Sequence, residues 1–392
     1  MKIIIFNENW VYGGNNLYIE NLINFLSDYN YEVELILNNE GIYNKDKIPN
    51  TVKVSRFNTL NATSFVNNKY KNSRLFSNLY KYFVILRPII FLINICRFYF
   101  FLKKKNLNLV ISCNGGYPAA ESCISLIVAS YLLKIKNIFC IASMPKDRKY
   151  LLLPYELLLD KALNFTCDII TTVSNAQMNE LILKRGNFRS KKIILNNGIK
   201  DDLRNEKTNY FTSKVINLGV ISRLDKDKSI STLVHLASKL KKEKFNFHLY
   251  IIGTGPEINN IKKLTKDLCL DNEITITGYV ENTKEYLLNI FDIYLFPSLL
   301  EGLPYSILEA MKYSLPIITT PAGGITEAIK NMENGLIVDK NSILSFYNAT
   351  KLLIENKDLA IELGRNAKQT FKEKFTIEIM NTNIKNMIKY ID

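Results

Sequence analysis

The chain has 392 residues, of which 47% are hydrophobic and 22% are charged, and it carries a formal net charge of +14 at pH 7. This length exceeds one ordinary domain and suits two domains of about 150–200 residues each. The hydrophobic content is sufficient for a large core, which excludes a disordered or collagen-like chain and disfavours a protein with many membrane spans. The six cysteines have no paired spacing, so reduced core thiols are predicted rather than a disulfide framework or a zinc site.

The predicted elements alternate between strand and helix. The chain runs from Met1-Lys2 directly into an apolar strand, so no signal peptide is predicted and a cytoplasmic location is expected. Amphipathic stretches of helical length, such as 118–134 and 228–243, separate most of the short apolar runs. This alternation predicts parallel sheets with helices on both faces. The predicted strands are 2–6, 32–37, 107–112, 137–142 and 168–173 in a first series, and 214–221, 246–252, 273–277, 291–296 and 316–319 in a second.

The two series of strands predict two α/β domains. A polar, turn-rich break runs from Asn196 to Ser213, as expected of a linker. Ligands of open α/β sheets bind at the carboxyl ends of the strands, so the loops that follow the strands are the candidate sites. The expected organisation is an N-terminal domain over residues 1–200, a linker over 201–213, a C-terminal domain over 214–370 and a terminal helix over 371–392.

The charge is distributed unevenly between the two halves. Residues 1–200 hold 26 Lys and Arg against 13 Asp and Glu, whereas the remainder holds 25 against 24. A basic first half indicates a face that meets a polyanion, such as nucleic acid, anionic lipid or a phosphorylated substrate. A second interpretation is that a chain rich in Lys, Asn and Ile reflects base composition alone.

Residues 83–102 form the most apolar segment, with 16 apolar residues of 20, and Lys103-Lys104-Lys105 follow it. Its length and flanking charge also suit a membrane span. A single span would place residues 1–82 and the chain from residue 103 on opposite sides of the bilayer, which would split the first sheet. We therefore expect a helix that is half core and half membrane-facing, with its basic residues at the headgroups. A wholly buried helix and a true span are the alternatives.

A glycine pair follows the first predicted strand. Gly13 and Gly14 lie between that strand and a helix expected to begin near Leu17. Paired glycines let backbone N–H groups approach a phosphate at a helix N-terminus, where the helix dipole favours an anion. A strand-to-helix turn often needs glycine for its own geometry, so the pair alone does not identify a site. It lacks the GxGxxG and GxxxxGK[ST] patterns, which disfavours a dehydrogenase or an ATPase.

Basic residues and glycines follow the strands of the second series. Arg223 comes directly after strand 214–221, and Lys228 follows five residues later. Two cations in such positions can hold a diphosphate, whereas a solvated rim is the plainer interpretation of either one. The next two loops contain Gly253-Thr254-Gly255-Pro256 and Gly278-Tyr279-Val280.

The most specific stretch is Glu301-Gly302-Leu303-Pro304 together with the helix that follows it. Glu301 belongs to the loop and Glu309 to the helix, and their side chains can accept hydrogen bonds from sugar or ribose hydroxyls. The two residues after Glu301 offer backbone N–H groups, and proline suits the first turn of a helix. Either glutamate alone is better explained as a helix cap or a surface charge. Their combination with the two cations and the glycines predicts a binding site.

Taken in order, these motifs resemble the retaining glycosyltransferases of family 4, which share the GT-B fold of two Rossmann-like domains facing across a cleft. The resemblance spans nearly the whole chain, and ordered agreement is more specific than any single motif. It implies that residues 371–392 return to pack on the N-terminal, acceptor-binding domain. The matching motifs are Gly13-Gly14, Gly219 to Lys228, Gly253-Thr254-Gly255-Pro256, Gly278-Tyr279-Val280, Glu301 to Glu309, Ala322-Gly323-Gly324-Ile325-Thr326-Glu327 and Asn334-Gly335.

The resemblance implies a nucleotide-diphosphate sugar donor, with UDP favoured, bound mainly by the C-terminal domain. It implies neither a metal nor a cofactor, because the cations and a helix N-terminus neutralise the leaving nucleotide. The implied mechanism is front-face attack through an oxocarbenium-like state that the site stabilises electrostatically. The implied catalytic residues are Glu301, Arg223 and Lys228. The implied donor-binding residues are Gly13, Gly14 and Gly255, Tyr279 and Val280 beside the base, Gly302, Leu303 and Pro304 near the sugar, and Glu309 on the ribose.

The chain departs from the family at one position. Many relatives carry a histidine after a strand of the first domain, near the donor sugar, whereas residues 138–145 contain none here. Ser143 or Lys146 is expected to line that position on the acceptor side. The two histidines, His235 and His248, lie in apolar patterns of the second half and are expected in its core or on its surface.

The resemblance also implies an acceptor bound by the basic first domain, often a lipid-linked pyrophosphate sugar at the inner membrane face. Segment 74–105 fits peripheral attachment to anionic lipid there. Within it, Pro88 is expected to kink any helix, and loop 59–73 is expected to overhang the acceptor. The leading hypothesis is therefore a retaining glycosyltransferase that builds a bacterial surface polysaccharide, such as O-antigen or capsule, on the inner face of the cell membrane.

Two other classes of protein are alternatives. A nucleotide-sugar epimerase of the same fold would carry catalytic carboxylates and a histidine in the cleft, and no such histidine is found. A non-enzymatic protein that binds anionic membrane or nucleic acid would explain the charge but would leave Glu301, Glu309 and the ordered glycines unexplained. No RNP-like aromatic strand or recognition-helix pattern is present, so nucleic acid is not an expected partner.

Overall fold

The protein is described here by a computed structural model. The described residues are 1–60, 86–201, 207 and 210–391. They divide into a first unit, formed by residues 1–195 and 381–392, and a second unit, formed by residues 196–380. Each unit is built on its own parallel β-sheet, which confirms the predicted α/β class.

The first unit contains a seven-stranded parallel sheet. Its strands are β1 (Lys2–Asn7), β2 (Glu32–Asn38), β3 (Lys53–Phe57), β4 (Leu109–Asn114), β5 (Lys136–Ile141), β6 (Ile169–Thr172) and β7 (Lys191–Ile194). They are ordered β3-β2-β1-β4-β5-β6-β7, so the strand order reverses at β1. Within the described residues, the α-helices of this unit are α1 (Gly14–Asp28), α2 (Arg87–Lys103), α3 (Glu121–Leu132), α4 (Leu153–Thr166) and α5 (Asn175–Arg185).

The core of the first unit follows from strands that are apolar along their whole length. In β1, the run from Ile3 to Phe6 is fully buried, as expected of a central parallel strand that is covered on both faces. Phe98 of α2 packs on this strand, with its ring centroid 5.3 Å from that of Phe6 and 4.4 Å from that of Phe57 in β3. Four of the six cysteines are buried as predicted, whereas Cys96 and Cys269 are exposed.

The second unit contains a six-stranded parallel sheet. Its strands are β8 (Ile216–Ile221), β9 (Phe247–Ile252), β10 (Ile274–Gly278), β11 (Ile293–Phe296), β12 (Ile317–Thr319) and β13 (Leu336–Ile337). They are ordered β10-β9-β8-β11-β12-β13. The α-helices that follow along the described chain are α6 (Ser231–Lys242), α7 (Ile258–Asp267), α8 (Tyr305–Lys312), α9 (Ile325–Ala328), α10 (Ile343–Glu355), α11 (Lys357–Lys374) and α12 (Ile377–Lys389). The last of these, α12, begins in the second unit and continues into the first from residue 381.

The sequence pattern does not predict β3, β7 and β13, and all three are edge strands. An edge strand is covered on fewer sides, so it does not need a continuous apolar run. β3 alternates basic, polar and apolar residues, β7 begins with two lysines, and β13 has only two residues. These three strands are therefore not predicted because they lack a continuous apolar run.

The chain boundaries near the ends of the units differ in detail from the predicted ones. The predicted linker over 201–213 lies partly outside the described residues, and the two units divide between Leu195 and Asn196. Residue 371 is not a helix boundary, because α11 continues to Lys374 and α12 begins at Ile377. Residues 381–392 belong to the first unit, where Lys385 lies over the ring of Tyr29 at 5.3 Å from its centroid.

Helix α2 has one buried face and one exposed face. Pro88 does not kink it, because the helix begins at Arg87 and proline is tolerated in the first turn. Within the described residues, no helix is long and apolar enough to cross a membrane. Residues 83–85 of the predicted apolar segment, and all but the first two residues of loop 59–73, lie outside the described residues. The buried side chains of α2 are Phe91, Asn94, Phe98 and Leu102, and its exposed apolar ones include Ile89, Leu92, Ile93 and Phe100.

Candidate functional site

The loops that follow β8 and β11 leave the second sheet side by side. β8 pairs with β9 on one side and with β11 on the other, so the strand order reverses at β8. In open α/β sheets, the carboxyl ends of the strands at such a reversal border the ligand crevice. Arg223 and Lys228 lie in the loop after β8, and Glu301 lies in the loop after β11. The topology therefore brings these three predicted residues to one place.

Lys228 and Glu301 form an ion pair between the two loops. Nζ of Lys228 contacts Oε1 of Glu301, and the hydroxyl of Ser298 donates to the same oxygen at 2.8 Å. The side chain of Glu301 is only 10% exposed and that of Lys228 21%. Solvent screens such a partly buried pair weakly, so removal of either side chain would leave the charge of the other uncompensated. The pair offers a ligand both a cation for phosphate oxygens and a carboxylate for hydroxyl groups.

Arg223 is held by Asp225, two residues further along the same loop. Its Nε and Nη2 donate to the two carboxylate oxygens at 2.7 and 2.9 Å, which is the bidentate geometry that arginine also uses on phosphates. This hydrogen bonding holds the pKa of Asp225 below its ordinary value and raises the pKa of Arg223. The Arg223 side chain is 47% exposed, so a ligand can reach the guanidinium.

Hydrogen bonds to backbone carbonyl oxygens join the two loops. The carbonyl oxygen of Asp227 accepts the N–H of Leu299 at 2.7 Å and the hydroxyl of Ser298 at 3.2 Å. The Nζ atom of Lys340 donates to the carbonyl oxygen of Leu299 at 2.9 Å. Neither Ser298 nor Asp227 is singled out by sequence reasoning, because their role depends on a contact between distant segments.

Two glycines in the loop after β9 allow this loop to lie against the loop that carries Arg223. A Cβ atom on Gly255 would stand 2.5 Å from the carbonyl oxygen of Leu224, closer than real Cβ atoms approach. Gly253 has a φ of +138°, and its Cβ would stand 1.9 Å from the carbonyl oxygen of Ser222. Gly255 thus supports the backbone beside Arg223, and its predicted contact with a donor stays a prediction.

Tyr294, the second residue of β11, joins this strand to the end of β8. Its hydroxyl donates to the carbonyl oxygen of Ile221 at 3.1 Å, at the end of β8. Burial raises the pKa of Tyr294, the charges of Glu309 and Glu301 raise it further, and a hydrogen bond with Ser306 opposes them. The only sequence signal for Tyr294 is a hydroxyl inside an otherwise apolar strand.

The residues between Glu301 and α8 are mostly buried. The carbonyl oxygen of Leu303 accepts a hydrogen bond from Nδ2 of Asn197 at 2.6 Å, which ties this loop to the start of the second unit. Pro304 lies just before the helix with extended backbone angles, φ −74° and ψ 132°, rather than inside the first turn as predicted. An extended residue at this position ends the loop and lets α8 begin at Tyr305.

Tyr279 and Val280 follow β10, as expected. Gly278, the last residue of β10, has a φ of +76°, a conformation that residues with a Cβ rarely adopt. The turn exposes the ring of Tyr279, which is 70% accessible. An exposed aromatic ring at the carboxyl end of a strand can contact a flat ligand group.

The glycine pair of the first unit caps α1. Gly13 is the N-cap residue and Gly14 the first helical residue, so the helix begins three residues earlier than predicted. The earlier start follows from the side chain of Asn16, which accepts the N–H of Gly13 at 3.2 Å. A Cβ on Gly13 would meet no atom within 4 Å, and its φ of −175° is extended backbone, so neither packing nor conformation demands glycine there.

A buried carboxylate holds the residue before the glycine pair. The hydroxyl of Tyr12 lies 2.8 and 2.9 Å from the two carboxylate oxygens of Glu20, and Nζ of Lys47 lies 3.3 Å from the same hydroxyl. Burial raises the pKa of Glu20, against the opposing effects of the Tyr12 hydrogen bond and the Lys47 charge. The entry to α1 is therefore fixed by a titratable group that sequence reasoning does not identify.

The predicted acceptor-side residues lie in the loop that follows β5. The side chains of Ser143 and Lys146 are exposed, while their backbone is fixed. Nε2 of Gln177 donates to the carbonyl oxygen of Ser143 at 2.6 Å, and the N–H of Lys146 donates to the carbonyl oxygen of Tyr117 at 2.9 Å. Both residues thus stand at the carboxyl edge of the first sheet, where α/β proteins bind ligands.

The two histidines lie away from these loops. His235 is in α6, and His248 in β9 places its Nε2 at 2.8 Å from the hydroxyl of Thr275. Partial burial lowers the pKa of His248. Across the described ranges, no three His, Cys, Asp or Glu side chains gather as metal ligands would.

Part of the chain matches a known protein family. Residues 201–370 match the family described as "Glycosyl transferases group 1". This range contains every predicted site residue of the second unit.

Several known proteins are similar in sequence to part of this chain, and the similarity covers only part of each of them. An uncharacterized glycosyltransferase of Haemophilus influenzae is 29% identical over 51% of this chain and 55% of that protein. The capsular polysaccharide biosynthesis glycosyltransferase CapM of Staphylococcus aureus is 25% identical over 62% of this chain and 66% of that protein. An Escherichia coli UDP-Gal:alpha-D-GlcNAc-diphosphoundecaprenol alpha-1,3-galactosyltransferase is 32% identical over 36% of each chain. The chain thus spans about a third to two thirds of the length of these relatives.

Solved structures resemble the chain over its whole length. HepE of Anabaena, crystallised in complex with UDP, superposes with a TM-score of 0.78 at 14% identity and covers 100% of both chains. The lipopolysaccharide outer core galactosyltransferase WaaB superposes with a TM-score of 0.72 at 18% identity, covering 100% of this chain and 99% of that one. These similarities confirm the predicted GT-B fold class of two Rossmann-like α/β domains.

Proposed function

We propose that the protein is a retaining glycosyltransferase that moves a sugar from a UDP-sugar to a lipid-linked saccharide in the synthesis of a surface polysaccharide. The observation that carries this proposal is the Lys228–Glu301 ion pair beside Arg223, at the strand-order reversal of the second sheet. The match of residues 201–370 to a glycosyltransferase family supports the class of reaction.

The donor diphosphate is the ligand that the cations of the second unit suit best. The fork of Arg223 already holds two oxygen atoms of Asp225 at 2.7 and 2.9 Å, and a diphosphate can take the place of that carboxylate. Lys228 adds a compact positive charge at the neighbouring position. Two cations can thus neutralise the leaving nucleotide, and the proposed reaction needs no metal ion.

Transfer with retention requires stabilisation of an oxocarbenium-like sugar and of the departing diphosphate. Charges fixed in position before the reaction lower the barrier most, because they do not need to reorient. Glu301 is fixed by Lys228 and Ser298, so its carboxylate is oriented before a sugar arrives. In this proposal Glu301 accepts hydrogen bonds from hydroxyls of the transferred sugar, and Arg223 and Lys228 hold the diphosphate as it leaves.

Several residues around this centre suit the nucleoside. Glu309 is half-buried on α8 and can accept the hydroxyl groups of a ribose, while Tyr279 and Val280 border the base. UDP is favoured because HepE, which has the same fold, was crystallised with UDP and the E. coli relative is named for UDP-Gal. We propose the same nucleotide for this chain.

The acceptor and its membrane belong to the first unit in this proposal. The E. coli relative is named for an acceptor linked to diphosphoundecaprenol, which supports a lipid-linked saccharide. The exposed face of α2 is apolar, and the exposed Lys103 and Lys104 follow it. An apolar stripe with basic residues at its end suits peripheral contact with anionic lipid at the inner membrane face.

A thermal-shift screen against UDP-, GDP-, ADP- and CMP-sugars tests the donor site. Stabilisation follows RT ln(1 + [L]/Kd), so about 2.7 kcal/mol is expected at a hundredfold excess over Kd. We expect a shift with UDP-sugars that is lost in Arg223→Ala and kept in Lys226→Ala, an exposed cation of the same loop. No shift with any nucleotide sugar, together with salt-sensitive binding to nucleic acid or anionic vesicles, would replace this proposal with the non-enzymatic alternative.

The stereochemistry is tested separately. With an α-linked UDP-sugar and a synthetic lipid-linked acceptor, NMR of the product is expected to show an α-glycosidic bond. A β-linked product would contradict the retaining mechanism. An isomerised nucleotide sugar formed without an acceptor would instead identify an epimerase.

A further inference from the structure

A network of buried charges in the first unit takes no part in the donor site. Arg185, the last residue of α5, has no exposed side-chain surface. Its Nη1 lies 2.6 Å from the carboxylate of Glu156 and 3.9 Å from that of Asp160. Arg148 pairs with Asp160 at 2.9 Å, so two guanidinium groups balance two carboxylates. The network is neutral as a whole, which makes its burial tolerable.

The guanidinium of Arg185 also anchors the backbone of the loop after β5. Nε and Nη2 donate to the carbonyl oxygen of Lys146 at 3.0 and 2.7 Å, and Nη2 reaches that of Asp147 at 3.3 Å. Its cationic face lies over the ring of Tyr117, 5.4 Å from the centroid. The carbonyl oxygen of Tyr117 accepts the N–H of Lys146, and the Tyr117 hydroxyl donates to Asp160 at 2.6 Å. One side chain thus joins the loops after β4 and β5.

Stability alone does not account for this arrangement. A buried ion pair often contributes no more than apolar residues of the same volume would, because its desolvation is costly. What the planar fork of arginine adds is direction, since its N–H groups point along fixed lines. Most of the hydrogen bonds that the Arg185 guanidinium donates are accepted by backbone carbonyl oxygens of a single loop. The network therefore specifies the conformation of that loop.

The loop combines a fixed backbone with exposed polar side chains. Its residues Ser143, Lys146 and Lys149 are exposed at the carboxyl end of β5. Gln177 fixes the start of the loop through the carbonyl oxygen of Ser143 at 2.6 Å. Because the backbone of this loop is already fixed, binding through these side chains does not require the loop itself to be ordered.

We propose that Arg185 is a positioning residue, which fixes the loop Ser143–Lys149 so that Ser143 and Lys146 meet the saccharide acceptor. Arg185 itself is buried and touches no substrate. This inference rests on the proposed function, because it assigns the loop to the acceptor of that reaction.

Two variants remove the hydrogen bonds of the Arg185 guanidinium to the loop. One keeps a positive charge at position 185, and the other removes a positive and a negative charge together. Arg185→Lys keeps the cation but loses the fork. The double variant Arg185→Met with Glu156→Gln removes both members of one ion pair and leaves the Arg148–Asp160 pair intact, so the fold is expected to hold. The matched control is Arg189→Lys, an exposed arginine four residues later that lies over the ring of Phe165.

Hydrogen exchange measures the anchor without any substrate. The amide of Lys146 is expected to exchange about tenfold faster or more in both Arg185 variants, because local opening of the loop becomes easier, and to be unchanged in Arg189→Lys. Unchanged exchange in the Arg185 variants would overturn the anchoring role.

Kinetics measure the consequence for the acceptor. In both Arg185 variants the KM for a synthetic lipid-linked acceptor is expected to rise about tenfold or more, since misplacing contacts by about 1 Å is that costly. Affinity for UDP-sugar and the slow hydrolysis of UDP-sugar by water should stay within about twofold of wild type, because the residues proposed to bind the donor lie outside this loop. A parallel fall in transfer and hydrolysis, or an unchanged acceptor KM, would overturn the positioning role. If the wild type neither binds nor hydrolyses UDP-sugars, the proposed function itself fails and the acceptor assignment falls with it.

Discussion

Lys228 and Glu301 stand 73 positions apart in the sequence and form an ion pair at the carboxyl edge of the second sheet. The pair joins the loops after β8 and β11, and the hydroxyl of Ser298 donates a hydrogen bond to the same carboxylate oxygen of Glu301. A diphosphate that binds Lys228 therefore shares the ammonium with Glu301 or displaces it. The donor site proposed here is organised around this pair before any ligand is bound.

We expect Lys228→Ala to weaken UDP binding by about tenfold to a hundredfold, because a hydrogen bond from a charged group contributes about 1.5–3 kcal/mol. Isothermal titration with UDP measures the affinity. The control is Lys226→Ala, which removes an exposed ammonium from the same loop and should change affinity less than about twofold. Equal losses in both variants would indicate a general electrostatic attraction in place of a specific contact.

Gly255→Ala is expected to lower the free energy of unfolding by about 1–3 kcal/mol, because its Cβ cannot fit against the carbonyl oxygen of Leu224. The displaced backbone carries Arg223, so affinity for UDP should fall as well. Gly13→Ala is the matched variant: its Cβ meets no atom, so we expect only the preference of the N-cap position for glycine over alanine to be lost, which lowers the free energy of unfolding by no more than about 1 kcal/mol. Urea unfolding and UDP titration of both variants test the contrast. A destabilised Gly13→Ala together with an unaffected Gly255→Ala would contradict it.

Glu20 predicts a specific pH dependence of stability. Burial raises its pKa above the ordinary value of 4.5, so the folded state binds the proton more tightly than the unfolded state does. The resulting stabilisation is complete below pH 4.5 and is lost as the pH rises through the raised pKa. Glu20→Gln should remove this component of the pH dependence, as measured by urea unfolding between pH 4.5 and 7. Asp28→Asn, exposed at the end of the same helix, should leave it in place.

The surface of α2 predicts binding to anionic vesicles. Lys103→Glu with Lys104→Glu should reduce binding to vesicles that contain phosphatidylglycerol, because each basic residue near such a surface contributes about 1 kcal/mol. Lys105 is left unchanged, because it pairs with Glu34 inside the first unit. Lys262→Glu with Lys263→Glu, on exposed positions of the second unit, makes the same change of net charge as a control. Equal release by both pairs in a sedimentation assay would show that net charge alone governs binding.

Leu92→Ser with Phe100→Ser tests the apolar part of the same surface. Both side chains are exposed, at 60% and 63%, so the folded chain should keep its stability. Vesicle binding should fall, and UDP affinity should not change. Unaltered vesicle binding would contradict insertion of this face into the lipid interface.

The amino-acid sequence by itself determined the class of fold and indicated the residues that we propose for the donor site. Apolar runs such as Ile3 to Phe6 are long enough to signal buried parallel strands, because a strand covered on both faces must be apolar throughout. Arg223, Lys228 and Glu301 were identifiable because glycine, proline and charge recur after successive strands. Edge strands escaped this reasoning, since β3, β7 and β13 need no continuous apolar run.

Only the tertiary structure decided which of these residues act on one another. The ion pair between Lys228 and Glu301 and the bond from Tyr294 to the end of β8 arise where the strand order reverses, which no local spacing encodes. The anchoring of the loop after β5 by Arg185 likewise depends on a helix that follows the next strand in the chain. The local pattern of apolar residues indicates how a segment is buried, whereas the order of the strands in the sheet determines which distant segments are in contact.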